Sequence, residues 1–500
     1  MSAEILFAAL AARPSGDLVL QGTRQSWCAA ELRSAVDDLA GRLADSRVLA
    51  VLADNGPAWV IADLAALRAG TVHLPLPDFF SPAQLAHALD ASAADTLLTD
   101  RPARVEELRL GFAVDGEEYG LVRLRRAVSK VSLPPATAKI SFTSGSSGAP
   151  KGVCLSSTGL VDTARAIVER LVDLPVGRHL AVLPLALLLE NTAGIYAPLL
   201  RGGAVCLRAL ARLGWRGMAG FEPAALQREL VATAPESLIL VPELLKAWVM
   251  YLAASGQRPH PGLRYVAVGG ARVSPALLRR ARALGLPAYE GYGLTECGSV
   301  VSLNRPGDDG ENAGRPLGHL DVRIEGDEVR VGTRAFRGYV GDSSTWPAAG
   351  PEQATEFATG DLGNFDDEGH LQLWGRRRNL LITSYGRNIA PEWVESTLLA
   401  QPAIAQAVVG GDGRPWLSAV LVGAPGADPA GLAAAVAAAN RALPDYARVR
   451  RWIAARVASF SVTNGLATGN GRPLRDAIFS HHAADLAALY CTEEVPDVVL

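Results

Sequence analysis

Residues 48–76 read VLAVLADNGPAWVIADLAALRAGTVHLPL. Val48–Leu52 is an unbroken apolar run of strand length, Trp59–Arg68 has the pattern of a helix, and Val72–Leu76 is a strand again. A strand, a helix and a strand in succession predict α/β layers with largely parallel sheets. The same alternation extends outward. Ser81–Leu89 reads as a helix, and Ser237–Val241 and Tyr265–Val268 read as strands, each followed by a helical stretch. Ser81-Pro82 and Ser274-Pro275 pair an N-cap with a proline at the first helical position. The texture changes after residue 375. Leu380–Thr383, Ala407–Val409 and Leu417–Val422 are short strands, with helices at Pro391–Leu399, Pro429–Leu443 and Arg475–Leu489. The expected fold is α/β: a large N-terminal multi-layer domain over residues 1–375 and a small mobile C-terminal α+β domain over 376–500. The boundary falls in Gly375-Arg376-Arg377-Arg378-Asn379.

The bulk properties agree with two packed domains. A chain of 500 residues exceeds what one core usually holds. With 49% hydrophobic and 20% charged residues it can bury a large interior. A net charge of −3 provides no basic footprint, so nucleic acid is excluded as the expected partner. Cys28, Cys154, Cys206, Cys297 and Cys491 show no metal-binding or C-x-x-C spacing, which fits a reducing, cytoplasmic setting. Met1–Leu10 contains Glu4 and lacks the basic start of a signal peptide. The most apolar stretch, Leu180–Leu189, is about half a membrane span and includes Pro184, so it reads as a buried strand and turn, not a transmembrane segment. Lysine is scarce: Lys130, Lys139, Lys151 and Lys246 are the only four, and every other basic side chain apart from histidine is arginine. Surfaces tolerate that exchange, but a site needing a compact ammonium does not.

The chemistry concentrates first in Thr143-Ser144-Gly145-Ser146-Ser147-Gly148-Ala149-Pro150-Lys151-Gly152, which follows the strand-like Ala138–Phe142. Three glycines let the backbone turn and approach a ligand closely. Successive N–H groups in such a loop form an anion-binding nest. The hydroxyls of Thr143, Ser144, Ser146 and Ser147 add donors, and Lys151 adds charge. Together they suit a triphosphate. Pro150 before the lysine distinguishes the loop from the Walker A pattern.

This decapeptide resembles the phosphate loop of the adenylate-forming superfamily, which includes acyl-CoA synthetases, peptide-synthetase adenylation domains and luciferases. Further motifs follow in the family's order between residues 143 and 475. Tyr289-Glu290-Gly291-Tyr292-Gly293-Leu294-Thr295-Glu296 resembles the family's Tyr-Gly-x-Thr-Glu segment. The resemblance implies that Tyr292 stacks on adenine with Gly293 beside it, Thr295 contacts the α-phosphate, and Glu296 holds Mg²⁺. One carboxylate plus phosphate oxygens is an ordinary Mg²⁺ environment. Gly269-Gly270-Ala271 matches the backbone that passes the adenine. Asp361, in Ala358-Thr359-Gly360-Asp361-Leu362-Gly363, corresponds to the aspartate that accepts from the ribose hydroxyls, and Arg376 to an arginine on the nucleotide. Arg378 falls at the hinge about which the small domain would turn between adenylation and transfer. The strand around Gly386 would then pass the acceptor tunnel.

One position departs from the family pattern. In Asn464-Gly465-Leu466-Ala467-Thr468-Gly469-Asn470-Gly471-Arg472, arginine stands where relatives have the lysine that bridges the acid and the phosphate. Either Arg472 performs the same task or its bulkier planar group slows adenylation. The acid pocket is expected beyond Leu183-Pro184-Leu185, where Leu187, Leu188 and Leu189 are apolar and small Ala193, Gly194 and Ala197 follow. No aspartate lies between Leu180 and Leu200, which argues against an α-amino acid, with Glu190 as the open question. An apolar fatty or aryl acid fits this run.

The resemblance therefore implies a ligase using ATP and Mg²⁺ to convert a small-molecule carboxylic acid to an acyl-adenylate, then passing the acyl group to CoA. Lys151, Thr295, Glu296 and Arg472 would be its catalytic residues. The alternatives are transfer to a carrier protein or an amine, or a nucleotide-binding protein with altered chemistry at Arg472.

Overall fold

The computed structural model describes residues 2–143, 150–217, 220–308, 311–348, 350, 352–468 and 471–490. Two large sheets form its body. In the first, Val48–Leu52 lies between Val72–Pro75 and Thr96–Thr99, all parallel, and Val72–Pro75 pairs in turn with Lys139–Thr143. In the second, Ala204–Leu207, Arg178–Ala181, Ser237–Leu240, Tyr265–Val268 and Ala288–Tyr292 run parallel in that spatial order. Helices Pro57–Ala69 and Ser157–Arg170 form a shared middle layer, and their apolar residues join one core with residues of both sheets. The run Trp59–Ala66 is buried on every side, which explains why its hydrophobic residues are continuous. The capping serines differ in detail. Ser81 accepts a bond from the Gln84 N–H, whereas Ser274 precedes its helix without a side-chain cap.

The parallel α/β reading holds for the centres of both sheets; in the first, Ala113–Glu118, Leu121–Arg125 and Lys151–Leu155 pair antiparallel, and the reading fails past residue 302. There Asp321–Glu325, Glu328–Thr333, Thr355–Phe365 and Leu371–Arg376 form an antiparallel sheet. Its first hairpin turns through Gly326 and Asp327, with φ of 54° and 66°. Two positive φ values make the tight turn whose twist suits antiparallel neighbours.

The small C-terminal unit packs helices Pro391–Leu399 and Pro429–Arg441 on the sheet Ile404–Gly410, Leu417–Gly423 and Val449–Ala454. The expected single helix over 475–489 is two, Arg475–His481 and Ala483–Ala488. His482, buried at 1% exposure with φ −108° and ψ 18°, breaks it. Among the described residues no helix is long and apolar enough to cross a membrane. Cys28, Cys154, Cys206 and Cys297 are unpaired, and Cys491 lies outside the described residues.

A charged cluster sits inside the large domain. Asp63 accepts from Lys139 Nζ at 2.7 Å and from Asn191 Nδ2 at 2.7 Å, and meets His73 Nδ1 at 2.6 Å. Lys139 also reaches the Asn191 amide oxygen and the Tyr196 hydroxyl. All five side chains are buried. Burial alone would raise the Asp63 pKa, but Lys139 and His73 outweigh it and hold the carboxyl well below its usual range. The cluster ties helix Pro57–Ala69 to the strand that leads into the Thr143–Gly152 loop.

Candidate active site

The parallel strands of the second sheet end at a cleft beneath the small unit, the usual place for ligands in open α/β sheets. A cavity of about 2180 Å³ occupies it. Of the sequence-predicted residues, Thr143, Gly269, Gly270, Ala271, Tyr292, Gly293, Thr295, Glu296, Asp361, Arg376 and Arg472 all line this one space. Ser144, Gly145, Ser146, Ser147 and Gly148 lie outside the described residues.

Their placement follows from local structure. Gly269-Gly270 come directly after the strand Tyr265–Val268, and Gly270 has φ 83°, which favours glycine. Tyr292 closes the strand Ala288–Tyr292, and Thr295-Glu296 sit in the 3₁₀ turn Thr295–Cys297. A Cβ at Gly293 would collide with the backbone carbonyl of Ser299, so only glycine permits that turn to fold back.

Two polar groupings face the cleft. Tyr292 Oη donates to Asp361 Oδ2 at 2.6 Å, and Arg376 Nε donates to Oδ1 at 2.8 Å. Strand register sets the second contact, because Asp361 and Arg376 are directly paired. Burial and then Asp361 push the Tyr292 phenol well above its ordinary pKa, so it stays a donor. Tyr339, which does not itself line the cavity, donates from Oη to Glu296 Oε1 at 3.0 Å. Lys151, paired with Thr143 across the hairpin, does not line the cavity. It stands at the rim with Nζ 5.6 Å from the centre of the Tyr339 ring. Tyr339 thus connects two predicted residues, and sequence reading missed it because no motif surrounds it. Glu290 lies two residues before Tyr292 on the same strand. Its carboxyl receives the Val273 N–H at 3.2 Å, and burial raises its pKa to about 7.

The small unit enters the same space. Thr468 and Arg472 close a turn: the Thr468 N–H donates to the Arg472 carbonyl at 2.8 Å, and the Arg472 N–H to Thr468 Oγ1 at 3.1 Å. From this turn Arg472 Nη2 donates to the Gly270 carbonyl at 2.6 Å. Arg475 anchors the turn from behind, donating to Glu395 at 2.7 Å and to the Val409 carbonyl at 2.6 Å.

A second arm of the cavity runs between the sheet and the middle layer, lined by Ile167, Leu187, Leu189, Ala193, Ala197 and Ala267. Glu190 is not available to it. Its Oε1 meets His179 Nε2 at 2.8 Å, its Oε2 receives the Leu183 N–H at 2.9 Å, and the side chain has no exposure. A π-helix, Glu190–Tyr196, turns this carboxylate into the protein while Ala193 faces the cavity.

The chain matches the family described as AMP-binding enzyme over residues 7–339, and that family's C-terminal domain over 378–494. It belongs to the AMP-binding enzyme family. Among similar proteins, the long-chain-fatty-acid–CoA ligase FadD15 of Mycobacterium bovis is 27% identical, covering 87% of this chain and 86% of that one. The o-succinylbenzoate CoA synthetase MenE of Bacillus subtilis, solved with its acyl-adenylate, aligns with a TM-score of 0.73 at 24% identity, covering 94% of this chain and 97% of that one. The amide bond synthetase McbA of Marinactinospora thermotolerans aligns with a TM-score of 0.75 at 24% identity, over 96% and 99% of the two chains. The latter two likenesses establish the shared fold.

Proposed function

We propose that this AMP-binding enzyme is an acid–thiol ligase that activates a carboxylic acid with ATP and transfers the acyl group to CoA. The observation that carries the reading is the convergence of Gly269–Ala271, Tyr292, Thr295, Glu296, Asp361 and Arg376 with Arg472 of the small unit around one cavity. The CoA-ligase relatives supply the reaction class.

In this reading Gly269–Ala271 and Tyr292 flank the adenine. Asp361 exchanges its present partners for the ribose hydroxyls. The acid's carboxylate oxygen attacks the α-phosphorus, and pyrophosphate leaves. Arg472, already at the Gly270 carbonyl, shifts a short way to neutralise the charge that develops. The CoA thiol then attacks the acyl carbonyl, loses its proton and expels AMP. The phosphate-loop hydroxyls and Lys151 hold the β and γ phosphates.

The residues present also fit Mg²⁺ brought with ATP. Among the described residues no cluster of three or more His, Cys, Asp or Glu could hold a metal alone. Glu296 and the Thr295 hydroxyl supply hard oxygens beside the expected phosphates, which matches a cation that takes one or two carboxylates and completes its shell with phosphate and water. The ion would neutralise phosphate charge.

The acid has an apolar tail of fatty or aryl type. The engagement of Glu190 by His179 and Leu183 supports this, because an α-ammonium in the apolar arm would find no carboxylate. The unpaired cysteines support a reducing, cytoplasmic setting. The small unit, residues 376–500, is the domain that moves between the half-reactions.

Acid-dependent exchange of pyrophosphate into ATP, run with fatty, aryl and amino acids, tests the reading. Exchange with an apolar acid is expected, with a loss of about 10²–10³-fold in Arg472→Ala. Tight ATP binding without exchange for any acid would overturn it. CoA, a carrier protein and a simple amine are then compared as acceptors, and thioester formation with CoA is the expected result.

A further inference from the structure

Lys246 lies on helix Pro242–Ser255 of the large domain, immediately after the strand Ser237–Leu240 that points into the cleft. Its Nζ crosses to the small unit and donates to the carbonyls of Gln401, at 3.0 Å, and Ile404, at 2.6 Å. Gln401 lies in the connection after helix Pro391–Leu399 and Ile404 opens strand Ile404–Gly410, both near the helix's carbonyl end, where a cation is favoured. Burial lowers the ammonium's pKa to about 8, opposed by the charge of Glu243 one turn earlier on the same helix. The Gln401 and Ile404 carbonyls are themselves joined through the Ile404 N–H, which donates to the Gln401 oxygen. The ammonium therefore grips a preformed loop.

Helix Pro391–Leu399 also carries Glu395, the residue that anchors Arg475 behind the Arg472 turn. Fixing the end of this helix fixes the frame from which Arg472 reaches Gly270. We propose that Lys246 is a positioning residue for adenylation, a latch that holds the small unit with Arg472 in the nucleotide cleft and must release for transfer. The inference rests on the two-step reading above. Its chemistry explains why an ammonium stands here in an arginine-rich chain. A compact cation with tetrahedral donors meets two converging carbonyls that a planar guanidinium would span less well.

The test separates the half-reactions. Lys246→Met keeps the length and apolar stem of the side chain while removing its donors. It should lower acid-dependent pyrophosphate exchange about 10- to 100-fold, the usual range for losing charge-assisted bonds of this kind. Thioester formation from a synthetic acyl-adenylate and CoA should stay within about threefold of the unmodified chain, and Lys246→Arg should restore part of the exchange. Equal losses in both half-reactions, or unchanged exchange, would overturn the latch. Amide hydrogen exchange provides a readout independent of turnover. Lys246→Met should deprotect residues 400–405 while strands Ile404–Gly410 and Leu417–Gly423 otherwise remain protected. Unchanged protection at 400–405 would also overturn it. If no acid supports exchange in the unmodified chain, the functional reading fails, and the hydrogen-exchange result alone decides whether the two units are latched.

Discussion

Asp63 and Asp361 are both aspartates bound by a cation and a polar neighbour, yet they behave in opposite ways. Asp63 is enclosed with Lys139, His73, Asn191 and Tyr196 and does not line the cleft cavity. Asp361 meets Tyr292 and Arg376 on the wall of the cleft. The first network lies away from the cleft, so its bonds serve the fold. The second faces open space, and on the proposed reading a ribose diol replaces its bonds at little cost, because it offers the same donors. A charged cluster is therefore informative about binding only when it faces space.

The largest effect that would break this contrast is expected in the closed network. Lys139→Met leaves Asp63 buried without its cation and should cost about 3–5 kcal/mol, read as a lower urea midpoint for the large domain. Adding Asp63→Leu should recover much of that loss, because no uncompensated charge remains. Asp361→Ala should do the reverse. Its urea midpoint should hardly move, while ATP affinity measured by calorimetry falls by about 1.5–3 kcal/mol.

A pH series sharpens the comparison. The Glu290 pKa is raised by burial to about 7 from an ordinary 4.5. The folded chain then holds this proton more tightly than the unfolded chain. Its contribution to stability is full below about pH 4.5 and is lost as pH rises through 7. Because the carboxyl borders the wet cleft, the loss should be about 1–2 kcal/mol. Urea midpoints across pH 4.5–8 should show this slope, and Glu290→Gln should flatten it. The smallest effect is expected for Tyr339→Phe. It removes one donor to Glu296 and should slow pyrophosphate exchange by no more than about tenfold, with stability nearly unchanged.

Much of this molecule was legible before the structure. Strands Val48–Leu52 and Tyr265–Val268 and helix Pro391–Leu399 lie where apolar runs and capping residues put them. Those elements are decided locally, by periodicity and by proline at a helix start. The antiparallel sheet over 321–376 was not foreseen, since Asp321–Glu325 has no buried face to mark it and Glu328–Thr333 pairs with Thr355–Phe365 across a long connection. The cleft-lining residues were legible because they are clustered in motifs. Tyr339 and Lys246 were not, because each acts across a distance in sequence: 43 residues to Glu296 and 155 to Gln401. The scarcity of lysine was the one signal that singled out Lys246, and it pointed equally to Lys130, Lys139 and Lys151.

That scarcity has a practical consequence. The four lysine amines occupy four different surroundings: Lys130 on the exposed surface, Lys139 in the interior, Lys151 at the rim of the cleft and Lys246 between the two units. An amine-selective acylating reagent followed by mass spectrometry would thus read the molecule at four points, with an outer standard and an inner blank supplied by the chain itself. On the proposed reading, nucleotide occupancy would register at Lys151 and the separation of the units at Lys246, with no engineered label.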